Sequence, residues 1–162
     1  MAVQLHCGYR PGAIGRLVHL HAQHYSALVG FGLPFESRVA RELAQFCERL
    51  DPLRDGLWLA MQGDQIVGSI AIDGLQAGTE GAHLRWFIVE AGVRGTGVGH
   101  LLMRAAMDFC AAQAFRRVHL STFEGLDAAR HLYEKFGFTL VAQQAGAQWG
   151  RVVQEQRFER EA

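Results

Sequence analysis

An excess of charge of one sign is missing from this sequence of 162 residues. The 16 Lys and Arg residues balance the 16 Asp and Glu residues, so no overall field draws the protein towards nucleic acid or an anionic membrane. Long apolar runs are also missing, and the first residues lack the basic and then apolar order of a secretion signal. We therefore expect a cytoplasmic protein that binds neither nucleic acid nor a membrane.

Cysteine is scarce, and the histidines are badly spaced for a metal site. The three cysteines are Cys7, Cys47 and Cys110. They lie far apart and form no Cys-x-x-Cys pair, so we expect reduced, buried thiols without redox or zinc chemistry. His19, His21 and His24 fall in one predicted helix, but steps of two and three residues spread them around it, unlike His-x-x-x-His. No metal site is predicted.

The pattern of apolar residues predicts one domain over residues 1–162 with the element order βααβββαβαββ. Alternation predicts strands, and apolar residues three or four apart predict amphipathic helices. The strands are expected at residues 3–9, 57–62, 65–73, 84–89, 118–123, 138–143 and 152–158, and the helices at 14–25, 34–50, 97–114 and 127–136. Gly63-Asp64 predicts a tight antiparallel hairpin between two of these strands. The fold class expected is α/β (α+β), with a mixed, mostly antiparallel central sheet flanked by helices.

A glycine-rich turn joins the strand at residues 84–89 to the helix that follows it. The turn reads Arg94-Gly95-Thr96-Gly97-Val98-Gly99. Free amides and the positive end of the helix dipole meet there, which predicts an anion site. The dinucleotide fingerprint needs glycine where His100 stands, and a P-loop needs Lys-Ser/Thr after Gly99, so both of those alternatives fail.

The motif Arg94-x-x-Gly97-x-Gly99 resembles the Gln/Arg-x-x-Gly-x-Gly/Ala signature of GNAT acetyltransferases. The strands and helices around the turn are similar to that family's successive motifs, in the family's order. Residues 129–138 contain Leu-Tyr-x-x-x-Gly-Phe, as the family's last motif commonly does. More narrowly, residues 85–89, 122–130 and 148–150 look like the acetyltransferase half of proteins fused to MarR-type DNA-binding domains.

The resemblance implies acetyl-CoA as the cofactor, with its diphosphate held by the turn. In the family, the strand before the turn splays from its neighbour, and its backbone groups bind the pantetheine arm and polarise the acetyl oxygen. The cofactor-binding residues implied are Phe87, Ile88, Val89, Arg94, Gly95, Thr96, Gly97, Val98, Gly99 and His100.

The resemblance also implies catalytic and acceptor-binding residues. Tyr133 aligns with the tyrosine that protonates the thiolate of coenzyme A. Two residues are candidates for the base: His83, near the place where some relatives carry a glutamate, and Glu124 after the following strand; other relatives use ordered water alone. The candidate acceptor-site residues are Tyr25, Phe31, Phe35 and Glu36, together with His24 and Trp149.

Two functions remain open at this point. The first is an N-acetyltransferase that acetylates a primary amine (a small molecule, an amino acid or a protein N-terminus) by direct attack in a ternary complex. The second is a binding module that holds acetyl-CoA without turning it over. Tyr133 favours the enzyme, whereas Leu126, where relatives often carry a cofactor-binding asparagine, favours the module. Dimers are frequent in the family, so a homodimer is an expected assembly.

Overall fold

A computed structural model describes residues 2–162 and has the element order that the sequence predicts. The strands are β1 (Gln4–Cys7), β2 (Gly56–Gln62), β3 (Gln65–Asp73), β4 (Ala82–Val89), β5 (Arg117–Phe123), β6 (Thr139–Gly146) and β7 (Val153–Glu161). The helices are α1 (Ala13–Val29), α2 (Leu33–Glu48), α3 (Val98–Ala112) and α4 (Asp127–Lys135), with a short 3₁₀ turn at Ala91–Val93. Among the described residues, no helix is long and apolar enough to cross a membrane.

The seven strands form one sheet in the order β1-β2-β3-β4-β5-β7-β6. Every neighbouring pair is antiparallel except β4 and β5, which run parallel. The β2–β3 hairpin turns at Gly63-Asp64, where Gly63 has a φ of 62°, a left-handed conformation that glycine adopts without strain. The prediction of a mixed, mostly antiparallel sheet is confirmed.

Helices cover both faces of the sheet because the central strands are apolar on both sides. Along β2, Leu59 packs with Leu17 and Phe46 from α1 and α2, whereas its neighbour Ala60 faces the core that contains Leu102 of α3. Successive side chains of a strand point to opposite faces, so one strand supplies both cores.

The sheet opens between β4 and β5. These strands are paired only at Ala82 with Val118 and at His83 with His119, and beyond that point they diverge. A register shift against β3 lies in the same part of β4, where Trp86 has a positive φ of 48°. Bulges of this kind bend a strand and redirect its side chains. The result is a gap at the carboxyl ends of β4 and β5.

Two expectations differ from the structure. Of the three cysteines only Cys110 is buried. Cys7 is exposed at the end of the edge strand β1, and Cys47 is partly exposed in the last turn of α2. The last hairpin extends three residues further at each strand than predicted, to Gly146 and Glu161. Most of β6 is solvent-exposed, so its polar residues give no alternating apolar signal to extend the prediction.

Candidate active site

The glycine-rich turn has a backbone that requires glycine at two positions. Gly95 and Gly97 have φ angles of 77° and 89°, in the left-handed region that side chains rarely adopt. Gly97 is the residue at which α3 begins, and no side chain caps this end of the helix. A Cβ at either position would meet nothing within 4 Å, so the space above the turn is open.

The turn presents a row of amide groups without protein partners. The first hydrogen bond into α3 runs from the amide of Leu101 to the carbonyl of Gly97 at 3.0 Å. Within the part of the chain that the structure describes, none of the six amides from Gly95 to His100 donates to another protein group. Unpaired amides at the positive end of a helix form a binding site for anionic groups such as phosphates.

Side chains around the turn fix its position rather than fill it. Nε of Arg94 donates to the carbonyl of Val89 at 3.0 Å, and Nη2 donates to Nδ1 of His24 at 3.1 Å, so the turn is attached to β4 and α1. The hydroxyl of Thr96 donates to the carbonyl of Val93. The ring of His100 packs 5.0 Å from that of Phe136.

Alternation along β4 decides which backbone groups face the gap. The amide of Glu90 donates to the carbonyl of Val67 in β3 at 2.8 Å. Backbone groups of successive strand residues point in opposite directions, so those of Ile88 also face β3 and those of Phe87 and Val89 point away from it. The three residues predicted together are therefore placed differently, because only Phe87 and Val89 turn towards the gap.

Tyr133 of α4 lies beside this gap, with only 6% of its surface exposed. Its ring is 6.0 Å from that of Phe87, 6.1 Å from Phe138 and 5.9 Å from Phe158. Burial, with a smaller effect of Tyr25, raises the pKa of the Tyr133 phenol above its ordinary value. The hydroxyl is therefore protonated at neutral pH and can donate a proton.

A cavity of about 260 Å³ lies between α1, α2, β4 and β5 and includes Tyr133 in its lining. Five aromatic residues line one side and form what we call the aromatic wall: Tyr25, Phe31, Phe35, Phe123 and Trp149. Their ring centroids lie 5.1 to 6.2 Å apart in the pairs that touch, within the range of favourable aromatic packing. The cavity therefore offers a rigid apolar surface next to the gap.

Of the two candidates for the base, only His83 lines the cavity. Burial, followed by the charge of Arg85, lowers the pKa of His83 to about 3, so its ring is neutral at pH 7 and binds a proton weakly. Glu124 is exposed in the turn after β5, where its amide donates to the carbonyl of Gln154 at 2.9 Å. Glu36 is likewise exposed and lies at a separate hollow on the outside of α1 and α2.

Sequence reasoning missed the charged groups of the cavity. Arg85 donates to Asp73 at 3.3 Å and to Glu42 at 3.0 Å, and its guanidinium lies 4.1 Å from the ring centre of Trp86. Nε of Arg38 lies 3.4 Å from the same Glu42 carboxylate. Helical spacing could place Arg38 and Glu42 on one face of α2, but nothing in the sequence indicates that this face meets Arg85.

His21 is a further residue that the sequence did not assign to the site. It is buried in α1 and also lines the cavity. Its neighbours His19 and His24 do not join it: within residues 2–162, no cluster of three or more His, Cys, Asp or Glu side chains could hold a metal ion.

The comparisons with known proteins identify the family and the fold. The sequence profile of the Acetyltransferase (GNAT) family matches residues 18–138. Among curated proteins, no significant match to the sequence is found.

Solved structures of the same fold cover almost the whole chain. A GNAT-family acetyltransferase from Staphylococcus aureus Mu50 is 17% identical with a TM-score of 0.76, and 99% of each chain is covered. An acetyltransferase from Streptococcus agalactiae is 19% identical with a TM-score of 0.76, with 99% of this chain and 98% of that one covered. A protein from Salmonella typhimurium, solved with its cofactor acetyl-CoA, is 13% identical with a TM-score of 0.76, with 99% and 94% covered.

At these identities the structures show a shared fold, and the profile match over well over half of the chain shows the family. The turn with unpartnered amides and the gap beside it both lie within the matched residues. The chain belongs to the GNAT acetyltransferase family, whose cofactor is acetyl-CoA.

Proposed function

We propose that the protein is an acetyl-CoA-dependent N-acetyltransferase that transfers an acetyl group to a primary amine by direct attack in a ternary complex. The observation that carries this proposal is that three features follow one another along β4 and the turn after it. The row of free amides at Gly95–His100 leads to the gap at Phe87 and Val89, and the gap opens on the cavity beside Tyr133. The Salmonella typhimurium structure, solved with acetyl-CoA, supports it by its likeness in fold.

The residues present fit this cofactor. The amides from Gly95 to His100 would hold its diphosphate, since unpaired donors and the helix dipole favour anions. The backbone groups of Phe87 and the amide of Val89, which β5 does not pair, would bind the pantetheine arm as a further strand would. When bound, acetyl-CoA supplies the acetyl group as a thioester.

Each catalytic role falls to a side chain or backbone group of the chain. Tyr133 holds a proton on its buried hydroxyl and donates it to the departing sulfur. A backbone amide of β4 that faces the gap donates to the acetyl oxygen as negative charge develops there. His83 accepts a hydrogen bond from a water that takes up the proton of the amine and passes it to solvent. Glu124 is not among the residues that line the cavity, so it is the weaker candidate for the base.

The central experiment measures thiol release from acetyl-CoA with a panel of amines: 2-phenylethylamine, L-phenylalanine, spermidine and a short peptide with a free N-terminus. We expect release with at least one of them and micromolar binding of coenzyme A by calorimetry. A protein that does not bind coenzyme A contradicts the proposal. Binding without release by any amine would favour the binding module, for which the apolar Leu126 is the supporting observation.

A glycine pair in the turn region tests the anion site. Alanine at Gly97 would have to adopt a φ of 89°, which costs about 1–2 kcal/mol, so the turn should relax and affinity for coenzyme A should fall roughly 5- to 30-fold. Gly92 is the matched control, because it has open space for a Cβ and no left-handed φ. Calorimetry should show weaker binding of coenzyme A by Gly97→Ala than by Gly92→Ala. Equal affinities of the two variants would contradict a role of the turn amides in binding coenzyme A.

Four finer assignments are also proposals. We infer that residues 1–162 act as one domain, that the protein works in the cytoplasm and that it forms a homodimer. We further infer a closer kinship with the acetyltransferase half of MarR-type fusion proteins, supported by residues 85–89, 122–130 and 148–150. Sedimentation of the purified protein tests the dimer, and a single urea transition tests the single domain.

A further inference from the structure

His21 is a buried histidine with one ring nitrogen committed to the protein and the other left open. It lies in α1 with 5% of its surface exposed, and its ring lines the cavity. Nδ1 is 2.7 Å from the carbonyl of Leu17, one turn earlier. Within the described residues, Nε2 bonds no protein group and is not sealed from solvent.

The bond to Leu17 fixes the tautomer of this ring. A carbonyl oxygen can only accept, so Nδ1 must carry the hydrogen and Nε2 must carry the lone pair. Burial lowers the pKa of His21 to about 4, although the bond to Leu17 opposes this, so the ring is neutral at pH 7. His21, a residue that lines the cavity, thus carries a fixed hydrogen-bond acceptor at Nε2.

Packing alone does not account for a histidine at this position. The carbonyl of Leu17 already accepts the helical bond from the amide of residue 21, so the ring satisfies no group that would otherwise be unpaired. Burying a polar ring costs free energy that an apolar side chain on the same stripe would avoid. The open nitrogen is the feature that an apolar residue could not supply.

The ring lies on the helix face that leads to the reaction centre. Tyr25 follows one turn later on α1, with its ring centre 6.3 Å from that of His21. Tyr25 is close enough to Tyr133 to raise the pKa of the Tyr133 phenol, and Arg94 is close enough to Tyr25 to lower the pKa of the Tyr25 phenol. A small molecule bound between His21 and the aromatic wall would therefore lie next to the gap.

The charges of the lining limit what that molecule can be. Two guanidinium groups, of Arg38 and Arg85, line the cavity, and Glu42 is the only carboxylate among its lining residues. This balance disfavours an acceptor that brings a second positive charge. The aromatic wall offers a surface for an apolar or aromatic body.

Resting on the proposed acetyltransferase function, we propose that Nε2 of His21 accepts a hydrogen bond from the amino group of the acceptor, a primary monoamine with an apolar or aromatic body. A neutral amine has two N–H groups and one lone pair. One N–H donated to His21 leaves the lone pair free to attack the acetyl carbon. The C–N bond forms and the C–S bond breaks, the water at His83 takes the proton lost from nitrogen, and Tyr133 protonates the departing sulfur. His21 thereby orients the nucleophile.

Two substitutions separate this role from a structural one. His21→Asn keeps a donor near Nδ1, which can still bond Leu17, but removes the group that reaches into the cavity. His21→Gln keeps a polar atom near Nε2 but loses the bond to Leu17. If His21 binds the amine, kcat/KM for 2-phenylethylamine should fall about 10-fold or more in His21→Asn and less in His21→Gln, mainly through KM.

The outcomes are distinct from a failure of the proposed function. Affinity for coenzyme A, measured by calorimetry, should be unchanged in both variants. If the wild-type protein is active and His21→Asn equals it, or if His21→Gln is the more impaired, the role of His21 is structural and the inference is wrong. If spermidine is the best acceptor, the substrate class is wrong. If the wild-type protein releases no thiol with any amine, the proposed function fails and this inference fails with it.

Discussion

Tyr133→Phe should lower kcat about 10²- to 10⁴-fold, because the substitution removes the hydroxyl that donates a proton to the leaving sulfur and leaves the aromatic ring in place. The ring packs against Phe87, Phe138 and Phe158, and phenylalanine preserves those contacts. Turnover should be measured by thiol release with the best amine of the panel. The loss should fall on kcat, since the hydroxyl acts when the thiolate departs.

The controls for this variant are the two properties that the substitution should leave unchanged, its stability and its affinity for the cofactor. The urea midpoint and the affinity for coenzyme A should equal those of the wild-type protein. Because burial raises the pKa of Tyr133, the phenol stays protonated from pH 6 to 9, so no loss of wild-type rate over that range should come from this group. A Tyr133→Phe protein with full activity would remove the tyrosine from the mechanism.

Phe158→Ala should lower the free energy of unfolding by about 3–5 kcal/mol, the usual cost of truncating a fully buried aromatic side chain. Phe158 has 0% of its surface exposed and lies between Leu120 of β5 and Leu140 of β6. Its ring is also 5.9 Å from that of Tyr133. Protein that remains folded should therefore lose activity too, because the phenol is no longer held in one position.

Leu53→Ala is the matched control for this substitution. Leu53 is 81% exposed, so its truncation should change the free energy of unfolding by less than about 0.5 kcal/mol. Urea unfolding followed by circular dichroism measures both variants. Equal urea midpoints for Phe158→Ala and Leu53→Ala would contradict the packing described around Phe158, and with it the position of Tyr133.

The fold could be predicted because its signals are local. Gly63-Asp64 indicates a hairpin, and apolar residues on α3 repeat at the spacing of a helix that packs on a sheet. Each of these patterns occupies fewer than 20 residues and depends on no distant partner. The edge strand β6 was predicted too short for the opposite reason, since most of its side chains face solvent and leave no apolar pattern.

Reasoning from the residues alone could predict the site where the backbone defines it, whereas candidate side chains such as Tyr133 and His83 came from the resemblance to the family. The turn at Gly95 and Gly97 could be read from sequence, because left-handed conformations require glycine. The directions in which side chains point could not be predicted from the sequence. Glu36 and Glu124 have suitable chemistry but are exposed to solvent. His21 lines the cavity through contacts with residues far away in the sequence, which a local pattern does not show.

Because β4 and β5 diverge, the strand pair with the fewest backbone hydrogen bonds in the sheet lies at the candidate reaction centre. Only two rungs, at Ala82 and His83, join the four strands on one side to the three on the other. The two halves are held together by the hydrophobic core beneath the sheet, in which Leu102 of α3 packs in the same cluster as Ile70 of β3 and Leu120 of β5. Separation of β4 from β5 is therefore opposed mainly by apolar packing and only slightly by backbone hydrogen bonds. This packing allows the sheet to stay in one piece although two of its central strands diverge.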